Sequence, residues 1–187
     1  LNDNPPNSKV FDSVWTDLES AKKLGIKVIL MVGGAGGAFQ DLFSNYDTLA
    51  NAIALRFCKE AKQAVRENRL YSLVLTGGAT AAKVYQKFAR AGFGDKVPWE
   101  SVHLFWTDER CVSPESSESN FGTAYRTFLH AISIPKGNIH RIRGEDDPVT
   151  EANRYADEIQ NHLALNGSPN HCFDWVFMGL GMDGHTA

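Results

Sequence analysis

Tyr71-Ser-Leu-Val-Leu-Thr-Gly-Gly-Ala-Thr80 is the stretch that decides the fold. A short apolar run rich in β-formers reads as a strand over 71–76, buried on both faces. Gly77-Gly78 then breaks it, and a helical pattern follows over about 80–90. A strand that feeds a helix through a glycine turn is half of a parallel βαβ unit.

The same grammar recurs on either side. Residues 26–32 (Ile-Lys-Val-Ile-Leu-Met-Val) read as a strand that ends in Gly33-Gly-Ala-Gly-Gly37, after a helical pattern from Asp12 to Leu24. A long helix beginning at Asp47 or Thr48 carries Leu49, Ile53, Phe57, Ala61, Ala64 and Val65 on one face. Val102-His-Leu-Phe-Trp-Thr107 is a third strand, followed by Asp108-Glu109-Arg110. Helices are expected over 121–131 and 151–162, a short strand over 138–142, and a last strand at Phe173-Asp-Trp-Val-Phe-Met178. Strands alternating with helices predict an α/β fold, with a mostly parallel sheet and helices on both faces.

Bulk composition narrows the partners. The chain has 187 residues, 43% hydrophobic and 22% charged, with a formal net charge of −3. That balance argues against nucleic acid or an anionic membrane as a partner. Three cysteines without CxxC spacing give neither a disulfide framework nor a zinc motif. The first ten residues are polar and proline-broken, and no apolar run approaches the roughly 20 residues that cross a bilayer. The expectation is a soluble, cytoplasmic protein.

In open α/β sheets, chemistry gathers beyond the carboxyl ends of the strands. Three motifs fall there. Thr76-Gly77-Gly78-Ala79-Thr80 opens a helix, where exposed backbone N–H groups and the Thr80 hydroxyl suit a phosphate. The plain alternative is a tight turn with a threonine cap. Asp108-Glu109-Arg110, with Glu118-Ser119-Asn120 downstream, offers carboxylates for sugar hydroxyls and a cation for an anion. It reads equally as a polar knot that pins a long loop. Gly179-Leu-Gly-Met-Asp-Gly-His185-Thr-Ala187 delivers His185 from a strand end, with Asp183 near enough to hold its tautomer, as a general base requires. The other histidines, His103, His130, His140, His162 and His171, show no ligand-like spacing. Of these, His140 falls near a predicted strand end and is a candidate neighbour of the site.

Taken in order, GGAT, DER…ESN and GxGxDGHTA resemble the 6-phosphogluconolactonases, over about residues 48–187. Leu49-Ala-Asn-Ala, Pro98-Trp99 and Pro135…Asn138-Ile-His140 add to the likeness. The related glucosamine-6-phosphate deaminases share the fold but tend to carry Ile where this chain has Thr186. The resemblance implies a three-layer, Rossmann-like sheet and hydrolysis of 6-phospho-D-glucono-1,5-lactone in the pentose phosphate pathway, with no metal and no cofactor. It assigns Gly77, Gly78 and Thr80 to the phosphate, Asp108, Arg110 and Asn120 to the sugar site, and His185 to activation of water.

Two departures shape the remaining expectations. The family continues beyond GHTA, so a C-terminally truncated domain with an open sheet edge is expected, and with it a possible homodimer through that edge. Residues 11–47 instead resemble a fragment of the family 18 glycoside hydrolases, the chitinase-type barrels, without their DxxDxDxE motif. A junction near 46–49 would fit an engineered chimera, with strand 26–32 merged into the sheet beside strand 71–76. Two alternatives to a lactonase follow: a non-catalytic scaffold, or a sugar-phosphate binding module without turnover.

Overall fold

The computed structural model describes residues 27–32, 46–90, 92–167 and 171–180. Its elements run β1 (Lys27–Val32), α1 (Tyr46–Arg66), β2 (Tyr71–Leu75), α2 (Ala79–Phe88), β3 (Val102–Trp106), α3 (Asn120–Thr127), α4 (Pro148–Leu165) and β4 (Trp175–Leu180). The strands form one sheet in the order β1-β4-β2-β3, and every pairing is parallel. The expected helix over 12–24 and the glycines 33–37 lie outside the described residues.

Alternation along the strands builds the layers. Tyr71, Leu73 and Leu75 of β2, Val102, Leu104 and Trp106 of β3, and Trp175 and Phe177 of β4 face one way. They meet Ile53, Phe57 and Ala61 of α1, Val84, Tyr85 and Phe88 of α2, and Ala124 of α3. Val74, Phe105 and Val176 face the other way, against Tyr155 and Ile159 of α4. Phe57 anchors the larger core, with its ring centroid within 5.0–6.2 Å of Phe88, Tyr71, Trp99 and Trp175. Each ring of this kind removes about 150–250 Å² from water, and that burial rather than helix propensity holds the layers together.

The strand over 26–32 does join the sheet, but beside β4 rather than beside β2. β4 occupies that edge of β2, with Leu73 opposite Trp175 and Val74 opposite Val176. A polar clamp fixes this choice: Asp174 accepts from the Ser72 backbone N–H at 2.9 Å and from Arg69 at 2.6 Å. β4 is therefore an interior strand, paired on its outer side by all six residues of β1, and β1 and β3 are the edges of the described sheet.

Two local expectations change. The helix expected over 121–131 stops at Thr127, because Phe128 leaves helical geometry at φ −151° to bury its ring; a 3₁₀ turn, Leu129–Ala131, follows. The strand expected over 138–142 is a 3₁₀ turn, Lys136–Asn138, and a single parallel bridge between Leu104 and Ile139. Pro135 offers no N–H, and the segment touches β3 only there and through the His140 N–H on the Leu104 carbonyl at 2.8 Å. No described helix is long and apolar enough to cross a membrane.

Candidate active site

Two tyrosines finish β2 and β3 from opposite faces. Tyr85 of α2 donates its hydroxyl proton to the Thr76 carbonyl at 2.8 Å and accepts the Thr76 N–H at 2.9 Å. Tyr155 of α4 does the same for Trp106, at 2.9 and 2.8 Å. Burial raises both phenols well above their ordinary pKa, so they remain donors. The chain leaves each strand from a fixed point, and the turns that follow are positioned by it.

Gly77 and Asn120 meet between those turns. A Cβ on Gly77 would lie 2.2 Å from Asn120 Oδ1. Asn120 has little room to yield, since it is buried and donates Nδ2 to the Asp108 carbonyl and carboxylate, each at 3.1 Å. Gly78 sits at φ +97°, a conformation that L side chains rarely adopt. It stands at the N-cap of α2 with no side-chain cap, whereas Ser119 caps α3 and Asp147 caps α4. The first N–H groups of α2 thus have no side-chain oxygen of their own.

Glu109 organises the loop that closes the other side. One carboxylate oxygen accepts the N–H groups of Arg110 and Asn120 at 2.8 and 2.7 Å. The other accepts the Ser119 hydroxyl at 3.0 Å and the Phe121 N–H at 2.9 Å. The knot reading therefore holds for Glu109, through backbone and hydroxyl donors rather than a salt bridge to Arg110. The result is an open cleft of about 300 Å³ lined by Gly78, Ala79, Arg110, Ser117, Glu118 and Asn120, among others.

Of the residues singled out in the sequence, Gly77, Gly78, Asp108, Arg110 and Asn120 come together around this cleft. Thr80 lies in the first turn of α2, half-buried, and is not among the lining residues. Asp183 and His185 lie outside the described residues. β4, which precedes them, runs parallel to β2 and points to the same edge; a Cβ on Gly179 would stand 3.9 Å from Thr76 Oγ1.

Residues 44–187 match the family described as glucosamine-6-phosphate isomerases/6-phosphogluconolactonase. The chain belongs to this family. It is 37% identical over 120 residues to a 6-phosphogluconolactonase of Haemophilus influenzae, covering 64% of this chain and 50% of that protein. It is 34% identical over 139 residues to one from Treponema pallidum, covering 74% and 56%. Among solved structures, the devB protein superposes with a TM-score of 0.70 at 29% identity, covering 87% of this chain and 61% of that one. A 6-phosphogluconolactonase of Thermotoga maritima gives 0.63 at 26%, covering 86% and 63%. The chain spans about half the length of the curated relatives it matches. None of these relatives supports the chitinase-type resemblance of residues 11–47 or the chimera.

A second gathering of polar side chains lies on the α4 face of the family fold. His103 Nδ1 is 2.8 Å from His140 Nε2, and His140 Nδ1 is 2.6 Å from a Glu158 oxygen. The His162 ring lies 4.6 Å from that of His103, and Phe105 stacks on His140 at 4.3 Å. His140 is thus a neighbour of this cluster and not of the cleft. Spacing along the chain hid the cluster because its three histidines come from three separate elements. The legible signals were Glu158 and His162 one turn apart on a helix, and His103 on the same strand face as Phe105.

Burial, with a smaller contribution from neighbouring imidazoles, lowers the pKa of both His103 and His162 to about 4. Between pH 4 and the unfolded value of about 6.5, the unfolded chain binds more protons, so stability falls as pH drops through that window. Because the rings are only partly shielded, the expected loss from pH 7 to pH 4 is on the order of 2 kcal/mol rather than the full shift. Urea unfolding across that range checks it, and the His103→Phe/His162→Phe pair should flatten the slope.

Proposed function

We propose that the chain carries a 6-phosphogluconolactonase site, which opens 6-phospho-D-glucono-1,5-lactone to 6-phosphogluconate in the pentose phosphate pathway. The observation that carries this is the N-terminus of α2, without a side-chain cap and facing the same cleft as Arg110 and Asn120. Family membership names the substrate class that would fill it.

In this reading the Gly77–Gly78 turn and the first N–H groups of α2 bind the phosphate, with the helix dipole and Arg110 favouring its charge. Thr80 adds its hydroxyl through the first turn. Asp108 and Asn120, locked to each other, take sugar hydroxyls. His185 removes a proton from water as the oxygen attacks the C1 carbonyl, and Asp183 holds the imidazole in the required tautomer. The electron pair of the carbonyl moves to oxygen, returns as the ring C–O bond breaks, and the ring oxygen leaves with a proton as the C5 hydroxyl. A lactone is already an activated ester, so a placed base and a donor for the oxyanion suffice.

Arg110→Ala tests the phosphate assignment. The side chain is exposed and its backbone N–H, not its guanidinium, joins the Glu109 knot, so the fold should survive. A phosphate contact of this kind is worth about 1.5–3 kcal/mol, so KM should rise about 10- to 100-fold with kcat within a few-fold. An unchanged KM removes Arg110 from the site. Turnover of the phospholactone, measured against its spontaneous opening, tests the reading as a whole.

A further inference from the structure

We propose that His103, His140 and His162 form a binding site for one divalent transition-metal ion of the zinc type, distinct from the cleft and serving to tie α4 to the sheet.

One nitrogen from each of the three rings lies within 4.8 Å of the other two. Tetrahedral zinc with Zn–N bonds of about 2.0–2.1 Å places its ligand nitrogens about 3.3 Å apart. His103 Nδ1 and His140 Nε2, now 2.8 Å apart, need to separate by only a fraction of an ångström, and His162 to approach. Borderline-soft imidazoles are the donors such ions select, and three of them leave one position for water.

Two further observations point to a ligand. His162 is 8% exposed, and its Nε2 is buried with no hydrogen-bond partner among the described residues. An unpaired buried polar atom is costly, and a metal bond would relieve that cost. His140 has the outer support that metal-binding histidines carry: its Nδ1 faces the Glu158 carboxylate, which directs its Nε2 lone pair inward. Glu158 is in turn held by Arg154, which also pairs with Glu151. His103 and His140 keep partial exposure, which gives an ion a route in.

The place is not the catalytic one. His103 is the second residue of β3, whereas Asp108 lies beyond its last, a separation of about 16 Å along an extended chain. The ligands come from β3, from the segment bridged to it at Ile139, and from α4. A bound ion would therefore cross-link three elements of the smaller core.

Titration of the chelator-treated protein with Zn²⁺ and Co²⁺ tests this. Binding of one ion per chain is expected, with a tetrahedral Co²⁺ spectrum lacking a thiolate charge-transfer band and a melting temperature that rises with zinc concentration. Glu158→Gln should weaken binding about 10- to 100-fold, and His162→Phe should weaken it further, while His185→Ala should leave it intact. Imidazole ¹⁵N shifts of the unaltered protein need no variant to fold; zinc should move all three rings together. No shift at these rings, a thiolate band from Cys58, Cys111 or Cys172, or binding lost with His185 would each overturn the proposal.

Discussion

His185→Ala should lower kcat for opening 6-phospho-D-glucono-1,5-lactone by about 10²- to 10⁴-fold, the usual contribution of a general base. KM should stay within a few-fold, because the groups proposed for the phosphate, at the start of α2 and at Arg110, are separate from the proposed base. The glycine-rich run that carries His185 follows β4, and β4 is pinned to β2 by Asp174 on Ser72 and Arg69. β4 therefore runs toward the edge where Gly77 and Asn120 sit. His185→Gln is the useful companion: it keeps a hydrogen-bonding side chain of similar length but has no titrating nitrogen, so it should be as inactive as alanine. Full kcat in either variant, or a KM effect alone, would make His185 a binding residue at most.

Glu109→Gln is the second large effect. The carboxylate meets four donors, two on each oxygen, and offers none. Glutamine has the same shape, but its NH₂ must face two of those donors. Unmade hydrogen bonds to a charged acceptor cost about 1.5–3 kcal/mol each, so the variant should lose about 3–6 kcal/mol of stability. Activity should fall beyond that loss, since the same carboxylate fixes the start of α3 and hence Asn120 against Asp108. Urea unfolding with kinetics on the folded fraction separates the two effects. A variant as stable and active as the parent would show that solvent satisfies those donors and that the loop organises itself.

Much of the fold was legible because its signals are local. Tyr71–Leu75 is apolar but for Ser72 and lacks regular alternation, and a strand buried on both faces is what such a run makes; the glycines after it then mark the turn. The helix that begins at Asp147 carries its own cap and a proline in its first turn, although the spacing alone placed its start later. What the sequence could not show is non-local. Nothing in 26–32 says that it pairs with residues 148 further along the chain rather than with β2, whose edge is taken by β4 and held there by Asp174. The knot at Glu109 depends on three donors ten to twelve residues on, and the histidine cluster on three elements meeting across one sheet face. Around the cleft, Gly77, Gly78, Asp108 and Arg110 were visible as residues just after strand ends, because that position is a property of the sheet and not of their neighbours, whereas Asn120 was visible only through the Glu118-Ser119-Asn120 motif downstream of β3.

The most direct test of the central claim is the rate at which the phospholactone opens in the presence of the purified chain. The account predicts a rate that rises in proportion to protein concentration, saturates with substrate, and is absent for glucono-1,5-lactone lacking the phosphate. A rate equal to spontaneous opening, or an acceleration indifferent to the phosphate, would contradict it.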